Sequence, residues 1–146
     1  MNKSLRGFLR LNCCLLTLSL ATFSGIAQQR EIEKEWLSYF DSSYVECREE
    51  FIAQTEMLAE KFSGVRYFDI YVPGNIDGDL HVDLCYVPAQ REPKKLLILS
   101  SGIHGIEGFV GHAVQELFTR EILTEELIQE TGILLIHGIN PYGFKY

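Results

Sequence analysis

Two short apolar runs separated by a helical pattern limit the folds open to this chain more than any other feature. Residues 95–100 read K-L-L-I-L-S, and residues 132–139 read G-I-L-L-I-H-G-I. Short continuous apolar runs are typical of strands buried on both faces of a sheet. The segment between them predicts a helix from about Gly108 to Ile122. Strand, helix and strand in this order predict a βαβ unit with parallel strands and a right-handed crossover.

The segment before this unit predicts a long helix. In residues 31–62, apolar side chains recur mostly at three- and four-residue steps. A break is expected near residues 41–43, where Asp and Ser cluster. Later in the chain, Thr124 is expected to cap a second short helix that follows the helix of the βαβ unit.

A β-hairpin is predicted between the first helix and the βαβ unit. Residues 65–73 are rich in β-branched and aromatic types, residues 74–79 have the composition of a turn, and residues 80–87 alternate. The alternation predicts that His81 and Asp83 lie on the solvent face of an edge hairpin. The complete pattern predicts an α/β fold, in which an N-terminal helix and a hairpin precede the βαβ unit of a mixed sheet with flanking helices.

A histidine and a glutamate follow the first apolar run. His104 and Glu107 belong to the segment S-S-G-I-H-G-I-E-G-F, beyond the carboxyl end of a strand, where active sites lie in parallel sheets. Imidazole nitrogen and carboxylate oxygen bind zinc, and a catalytic zinc site needs about three protein ligands and an open position for water. The surrounding glycines are expected to leave room for a substrate and to permit unusual backbone angles. The alternative for His104 is a hydrogen-bonded structural residue or a helix cap.

A second motif, N-P-Y-G-F at residues 140–144, follows the second apolar run. The segment S-G-I-H-G-I-E-G-F-V-G, with L-L-I-H-G-I-N-P-Y-G-F later in the chain, resembles the zinc carboxypeptidase superfamily. It is more closely similar to an uncharacterised branch of that superfamily, a domain-of-unknown-function family of carboxypeptidase-like zinc hydrolases. The resemblance covers about residues 35–146. It implies that His104 and Glu107 are the first two Zn²⁺ ligands, and that the N-P-Y-G segment is an architectural turn.

The resemblance also implies groups that the chain does not reach. The superfamily takes a third zinc ligand, a histidine, from a later strand, holds the substrate carboxylate with an Asn-Arg pair, and uses a glutamate as general base. The chain ends at Tyr146, before any of these. We therefore expect residues 28–146 to be the N-terminal part of a truncated hydrolase domain, with an incomplete zinc site and no activity of its own. The substrate implied for the complete enzyme is a peptide or a small amide.

The other histidines near these motifs do not match the third ligand of the superfamily. His112 lies within the predicted helix, which is expected to carry it away from the loop. His137 lies within the second strand, and is expected to be a core residue or to support the site. Glu116, farther along the predicted helix, is expected to be solvated.

Residues 1–27 have the three-region pattern of a secretory signal peptide. Three basic residues precede an apolar run at residues 11–23, and small residues precede a cut after Ala27. This predicts a secreted or periplasmic protein without stable membrane insertion after cleavage, and the alternative is an uncleaved signal anchor. The mature chain keeps Cys47 and Cys85, for which a disulfide and two free thiols are both open.

The charge of the chain argues against nucleic acid as a partner. The formal net charge is −7, and no basic cluster longer than Lys94-Lys95 follows residue 30. Two other functions remain open. One is an α/β serine hydrolase, in which residues 100–105 would supply oxyanion-hole amides, although the nucleophile motif G-x-S-x-G is absent from the chain. The other is a secreted binding or structural fragment without catalysis.

Overall fold

The computed structural model describes residues 36–76 and 78–146. The chain divides into two compact units, residues 1–38 and residues 39–146, and the second unit contains every element discussed below. The predicted signal peptide lies outside the described residues. Among the helices that are described, none is both long and apolar enough to span a membrane.

Four strands, three α-helices and a π-helical turn make up the second unit. In chain order they are α1 (Tyr44–Lys61), β1 (Arg66–Tyr71), β2 (His81–Val87), β3 (Lys95–Ser100), α2 (Glu107–Leu117), the π-helical turn (Phe118–Ile122), β4 (Thr131–His137) and α3 (Pro141–Lys145). The predicted α/β class, with a helix and a hairpin ahead of a strand–helix–strand unit, is confirmed.

Helix α1 begins at the break that the sequence predicts. Ser43 is the N-cap, and its hydroxyl accepts a hydrogen bond from the backbone N–H of Glu46 at 3.2 Å. The Glu46 carboxylate accepts in turn from the backbone N–H of Ser42 at 3.0 Å. This reciprocal pairing satisfies donors that a helix start leaves without partners, so the chain begins a new helix here.

The sheet is mixed, with strand order β1-β2-β4-β3. Strands β1 and β2 pair antiparallel, which confirms the hairpin, and β2 pairs antiparallel with β4. Strands β3 and β4 are parallel, as the βαβ pattern predicts. Because β3 and β4 run in the same direction, their carboxyl ends meet at one edge of the sheet, which is where both sequence motifs begin.

Only one face of the sheet is buried, so the prediction of strands buried on both faces is wrong. The helices cover the face that contains Cys85, Ile133 and Leu135, which pack with side chains of α1 and the π-helical turn. The opposite face of β3 is open, with Leu96 and Ile98 exposed by 55% and 52%. The sequence cannot separate these cases, because a continuous apolar run gives both faces of a strand the same composition.

The sequence predicts the wrong buried face for strand β2 of the hairpin. Asp83 is fully buried, whereas the sequence predicts a solvent-exposed side chain. Strand β2 lies inside the sheet between β1 and β4, and its Asp83, Cys85 and Val87 face the helices. The charge of Asp83 is matched there by Arg48 of α1, a partner from 35 residues earlier in the chain.

The remaining elements of the crossover differ in detail from the sequence prediction. The predicted helix divides into α2 and the π-helical turn, and the second short helix is only a hydrogen-bonded turn. Thr124 still caps that turn, since its hydroxyl accepts from the Leu127 N–H at 3.3 Å. Cys47 and Cys85 are both buried and unpaired.

Candidate metal centre

His104 and Glu107 lie on the connection from β3 to α2. Glu107 is the first residue of α2, and His104 precedes it in the loop. The side chains are 76% and 66% exposed, and His104 Nδ1 lies 3.4 Å from Glu107 Oε1. The structure therefore brings a nitrogen donor and an oxygen donor together at a point that is open to solvent.

The separation of the two side chains is that of an ion pair, and it also equals the spacing of two ligands on a shared metal ion. A hydrogen bond between a ring nitrogen and a carboxylate oxygen is normally about 2.7–3.2 Å long. Two ligand atoms each about 2.1 Å from a tetrahedral zinc ion lie about 3.4 Å apart. The observed 3.4 Å matches the second arrangement. His104 and Glu107 thus fit two ligand positions of a zinc site.

The second motif holds the first in place through the backbone. Just beyond the ends of the parallel strands, the Ile139 N–H donates to the Ser101 carbonyl at 3.1 Å, and the Asn140 N–H donates to the Gly102 carbonyl at 2.7 Å. These two hydrogen bonds continue the β3–β4 pairing into the loops. The loop that contains His104 is therefore anchored to the start of α3.

Glycines allow the two loops to approach each other. Gly102 has a φ of +67°, and a Cβ there would lie 2.9 Å from the Gly138 Cα. A Cβ on Gly108, in the first turn of α2, would overlap the ring of Phe144. The glycines were expected to leave room for a substrate, and at these two positions they instead permit close packing between the motifs.

The N-P-Y-G segment is a short capped helix. The Asn140 side chain accepts a hydrogen bond from the Gly143 N–H at 3.1 Å, and Pro141 opens α3, where a missing N–H costs nothing. Phe144 is buried and makes edge-to-face contacts with Phe109 and Tyr44, at ring-centroid distances of 4.9 and 5.6 Å. The motif is architectural, as the resemblance implies, and it fixes α3 against both α1 and α2.

The comparisons with known proteins give one match. The model of a protein family described as a protein of unknown function, DUF2817, matches residues 40–146, which is most of the chain. The chain belongs to the DUF2817 family. No curated protein and no solved structure matches the chain. The resemblance to a domain-of-unknown-function family is confirmed, and the wider relationship to zinc carboxypeptidases stays a prediction.

No third metal ligand joins His104 and Glu107 among the described residues of this DUF2817 domain. Within residues 36–76 and 78–146, one group of three metal-ligating side chains occurs, and it consists of Asp41, Cys47 and His112. These side chains bring their ligand atoms within 4.8 Å of one another. Neither His104 nor Glu107 belongs to that group. This domain therefore contains a possible metal-binding triad that is distinct from the exposed pair.

Sequence analysis missed this triad because its members are far apart in the chain. Asp41 lies in the break before α1, Cys47 lies in the first turns of α1, and His112 lies within α2. In the sequence, Cys47 is part of an apolar stripe, and no local spacing connects it to His112. Only the packing of α1 against α2 brings the three together.

His112 is buried in the DUF2817 domain, away from solvent. Its Nε2 lies 2.9 Å from Asp41 Oδ2, and its Nδ1 is buried without a partner among the described residues. Burial lowers the pKa of His112, and the charge of Asp41 acts in the opposite direction. The helix carries His112 away from the loop, as expected, but into a polar cluster in the core.

His137 also lies in the core, where it stacks on Phe51 at a centroid distance of 4.9 Å. Its Nδ1 is 3.3 Å from Ser101 Oγ, and the Ser101 hydroxyl donates to Gln115 Oε1 at 2.9 Å. Because the serine proton is committed to Gln115, Nδ1 of His137 is the donor and Nε2 is the unprotonated nitrogen. Burial lowers the pKa of His137 to about 3, so it remains neutral.

Ser101 therefore does not provide a reactive hydroxyl. It is 3% exposed, and its proton and its lone pairs are used by Gln115 and His137. Gln115 donates from its amide nitrogen to the carbonyls of Leu99 and Ile136, both at 3.0 Å. This network joins α2 to both parallel strands and gives Ser101 a structural role.

The expectation of a solvated Glu116 is wrong. Glu116 is 6% exposed, and its Oε1 accepts from Arg120 Nε at 2.8 Å. Arg120 also bonds Glu50 of α1 at 2.5 Å. Burial raises the pKa of Glu116, against the lowering effect of the Arg120 hydrogen bond and charge. The face of α2 that contains Glu116 packs against α1, which the helix pattern alone did not indicate.

Proposed function

We propose that this DUF2817 domain contributes to a zinc-dependent hydrolase that cleaves a peptide or a small amide bond, with His104 and Glu107 as two of the metal ligands. One observation carries the proposal. An exposed imidazole nitrogen and an exposed carboxylate oxygen lie 3.4 Å apart beyond the carboxyl end of a parallel strand. In proteins with α/β sheets, bound ligands lie beyond the carboxyl ends of the parallel strands.

The surroundings of the pair support a binding role over a structural one. A structural His–carboxylate pair is normally shielded or joined by a short hydrogen bond, whereas His104 and Glu107 are mostly exposed and too far apart for one. Two backbone hydrogen bonds, accepted by Ser101 and Gly102, join the start of their loop to the residues that lead into α3. Anchoring of this kind reduces the entropy that ligand atoms lose on binding.

The chemistry follows from the donor set. A zinc ion bound here would polarise a substrate carbonyl and lower the pKa of its bound water toward ~7. The protein would contribute the imidazole of His104 and the carboxylate of Glu107, which flank the turn into α2. Exposure of both side chains leaves space for the carbonyl of an extended peptide. A third ligand and a general base are additional requirements of the reaction.

Zinc binding by the full chain tests the proposal. The bound equivalents and the affinity would be measured by competition with a chromogenic chelator, for wild type, His104→Ala and Glu107→Gln. We expect each variant to bind one equivalent fewer than wild type, or to bind that equivalent at least tenfold more weakly. His81→Gln is the control, since the partly buried His81 is also paired with a carboxylate, Asp69, at 2.9 Å. Unchanged zinc binding in both site variants would refute the proposal.

We further propose that the protein acts outside the cytoplasm. This proposal rests on the signal-peptide pattern in the sequence of residues 1–27. Mass spectrometry of the exported product should find a mature N-terminus at or near Gln28. An intact Met1 on the exported protein would contradict cleavage.

A further inference from the structure

The buried triad of Asp41, Cys47 and His112 is assembled from three separate places in the fold. Its ligand atoms lie within 4.8 Å of one another, and His112 Nε2 is hydrogen-bonded to Asp41 Oδ2 at 2.9 Å. Cys47 and His112 are fully buried, and the Asp41 side chain is 27% exposed. The cluster is therefore enclosed on the side of the helices and reachable from the side of Asp41.

We propose that Asp41, Cys47 and His112 form a buried site for a zinc-class divalent cation, which ties the segment before α1 to helix α2. This site is separate from His104 and Glu107, and it does not rest on the proposed hydrolase function. Its three protein ligands leave a fourth position for water, which can enter beside Asp41.

The three ligand atoms of the triad determine which class of metal ion it would bind. Sulfur, imidazole nitrogen and carboxylate oxygen together suit zinc and cobalt, whereas magnesium and calcium prefer oxygen ligands alone. A thiolate and a carboxylate contribute two negative charges, and a neutral imidazole contributes none. A divalent cation would therefore produce an electrically neutral centre, which is the arrangement that burial penalises least.

The Cys47 thiol keeps its proton in the metal-free cluster. Burial raises the pKa of the Cys47 thiol to about 12, and the negative charges of Asp41 and Glu46 act in the same direction. A coordinated cation reverses this effect, since a coordinating thiol is deprotonated. The Asp41–His112 hydrogen bond fixes two of the three ligand groups, and the Cys47 sulfur lies within 4.8 Å of both.

The proton balance of binding follows from the hydrogen bonds. In the metal-free cluster, Nε2 of His112 carries the proton shared with Asp41, and Cys47 carries its thiol proton. On binding, the cation takes the place of both protons. The imidazole proton moves to Nδ1 of the same ring, and the thiol proton leaves to solvent. One proton is released for each metal ion bound, since the cation displaces the thiol proton.

Cobalt titration of the full chain tests this site independently of the exposed pair. Thiolate coordination gives cobalt a near-ultraviolet charge-transfer band, which ligands with oxygen and nitrogen donors alone do not give. We expect wild type and His104→Ala to develop this band to one equivalent, and Cys47→Ser to lose it. Cys85→Ser is the matched control, since Cys85 is the other buried cysteine among residues 36–76 and 78–146 and stands outside the triad.

A second variant tests the site in case Cys47→Ser does not fold. Asp41→Asn alters a ligand that is only 27% exposed and keeps the volume of the side chain, and we expect its cobalt affinity to fall at least tenfold. Far-ultraviolet circular dichroism would verify that each variant is folded. Absence of the band in folded wild type, or a band that survives in Cys47→Ser, would overturn the proposal. Loss of the band in His104→Ala would also overturn it, because the sites would then not be separate.

Discussion

Arg48 on α1 contacts both carboxylate oxygens of Asp83 on β2, with Nε at 2.9 Å from Oδ2 and Nη2 at 3.2 Å from Oδ1. The Tyr67 hydroxyl donates to the same carboxylate. Asp83 is fully buried, and the Arg48 side chain is 21% exposed. This ion pair joins the first helix to the interior of the sheet, and it allows a charged residue to occupy the core.

Removal of one partner of this pair should be much more costly than removal of both. Arg48→Met leaves a buried carboxylate without its countercharge, and should lower the free energy of unfolding by about 3–5 kcal/mol. Arg48→Met with Asp83→Leu should recover most of that loss, because no uncompensated charge remains. Urea denaturation of the four proteins of this double-mutant cycle measures the coupling. Additive losses in the double variant would show that the pair contributes no coupling energy.

The close packing of the two motif loops predicts a position-specific effect of added methyl groups. Gly108→Ala places a Cβ against the Phe144 ring, and should lower the free energy of unfolding by about 1–3 kcal/mol. Gly78→Ala is the control, since a Cβ there meets nothing within 4 Å. Thermal denaturation compares the two. Equal melting temperatures would contradict the packing of α2 against α3.

Adjacent leucines of β4 should differ in their contribution to stability, because they lie on opposite faces of the sheet. Leu135 is 1% exposed in the main core, and Leu134 is half-buried on the open face. Leu135→Ala should cost about 2–5 kcal/mol, and Leu134→Ala less than half of that. Chemical denaturation measures both changes. A larger loss for Leu134→Ala would mean that the open face is the better packed one.

Acid should destabilise the fold through His137. Burial lowers the pKa of His137 in the folded state to about 3, whereas an unfolded histidine has a pKa of about 6.5. Between these values the unfolded state binds more protons, so stability falls as the pH falls below about 6.5 and stops falling near 3. One such group contributes up to about 1.4 kcal/mol per pH unit.

The test for His137 compares unfolding free energies across this pH window. His137→Gln keeps a polar side chain that can donate to Ser101, and its stability should depend less steeply on pH between 6.5 and 3 than that of wild type. His81→Gln, which alters a histidine only partly buried, is the control. Parallel pH profiles for wild type and His137→Gln would contradict a buried neutral imidazole.

Local patterns predicted the elements, and tertiary packing decided what they bury. The parallel pair β3 and β4 and the hairpin follow from apolar runs and turn composition, which act over a few residues. The burial of Asp83 does not, because both faces of β2 contain apolar residues. Which face turns inward depends on Arg48, whose contact with Asp83 spans 35 residues.

The two candidate metal sites also differ in whether local sequence or tertiary packing brings their residues together. His104 and Glu107 lie three residues apart, so a loop running into a helix is enough to bring them together, and their spacing is visible in the sequence. Asp41 and His112 are 71 residues apart, and only the docking of α1 on α2 makes them neighbours. Glu116 is buried for a similar reason, because Arg120, which pairs with it, is held in turn by Glu50 of α1, 70 residues away in the chain.

Anomalous diffraction at the zinc absorption edge, from crystals of the protein grown with zinc, tests the central claim most directly. We predict a peak about 2.0–2.2 Å from His104 Nδ1 and from a carboxylate oxygen of Glu107. The same experiment on His104→Ala should lose this peak and keep any other. Fully occupied zinc elsewhere in wild type, with no peak between His104 and Glu107, would contradict the assignment of this pair as metal ligands.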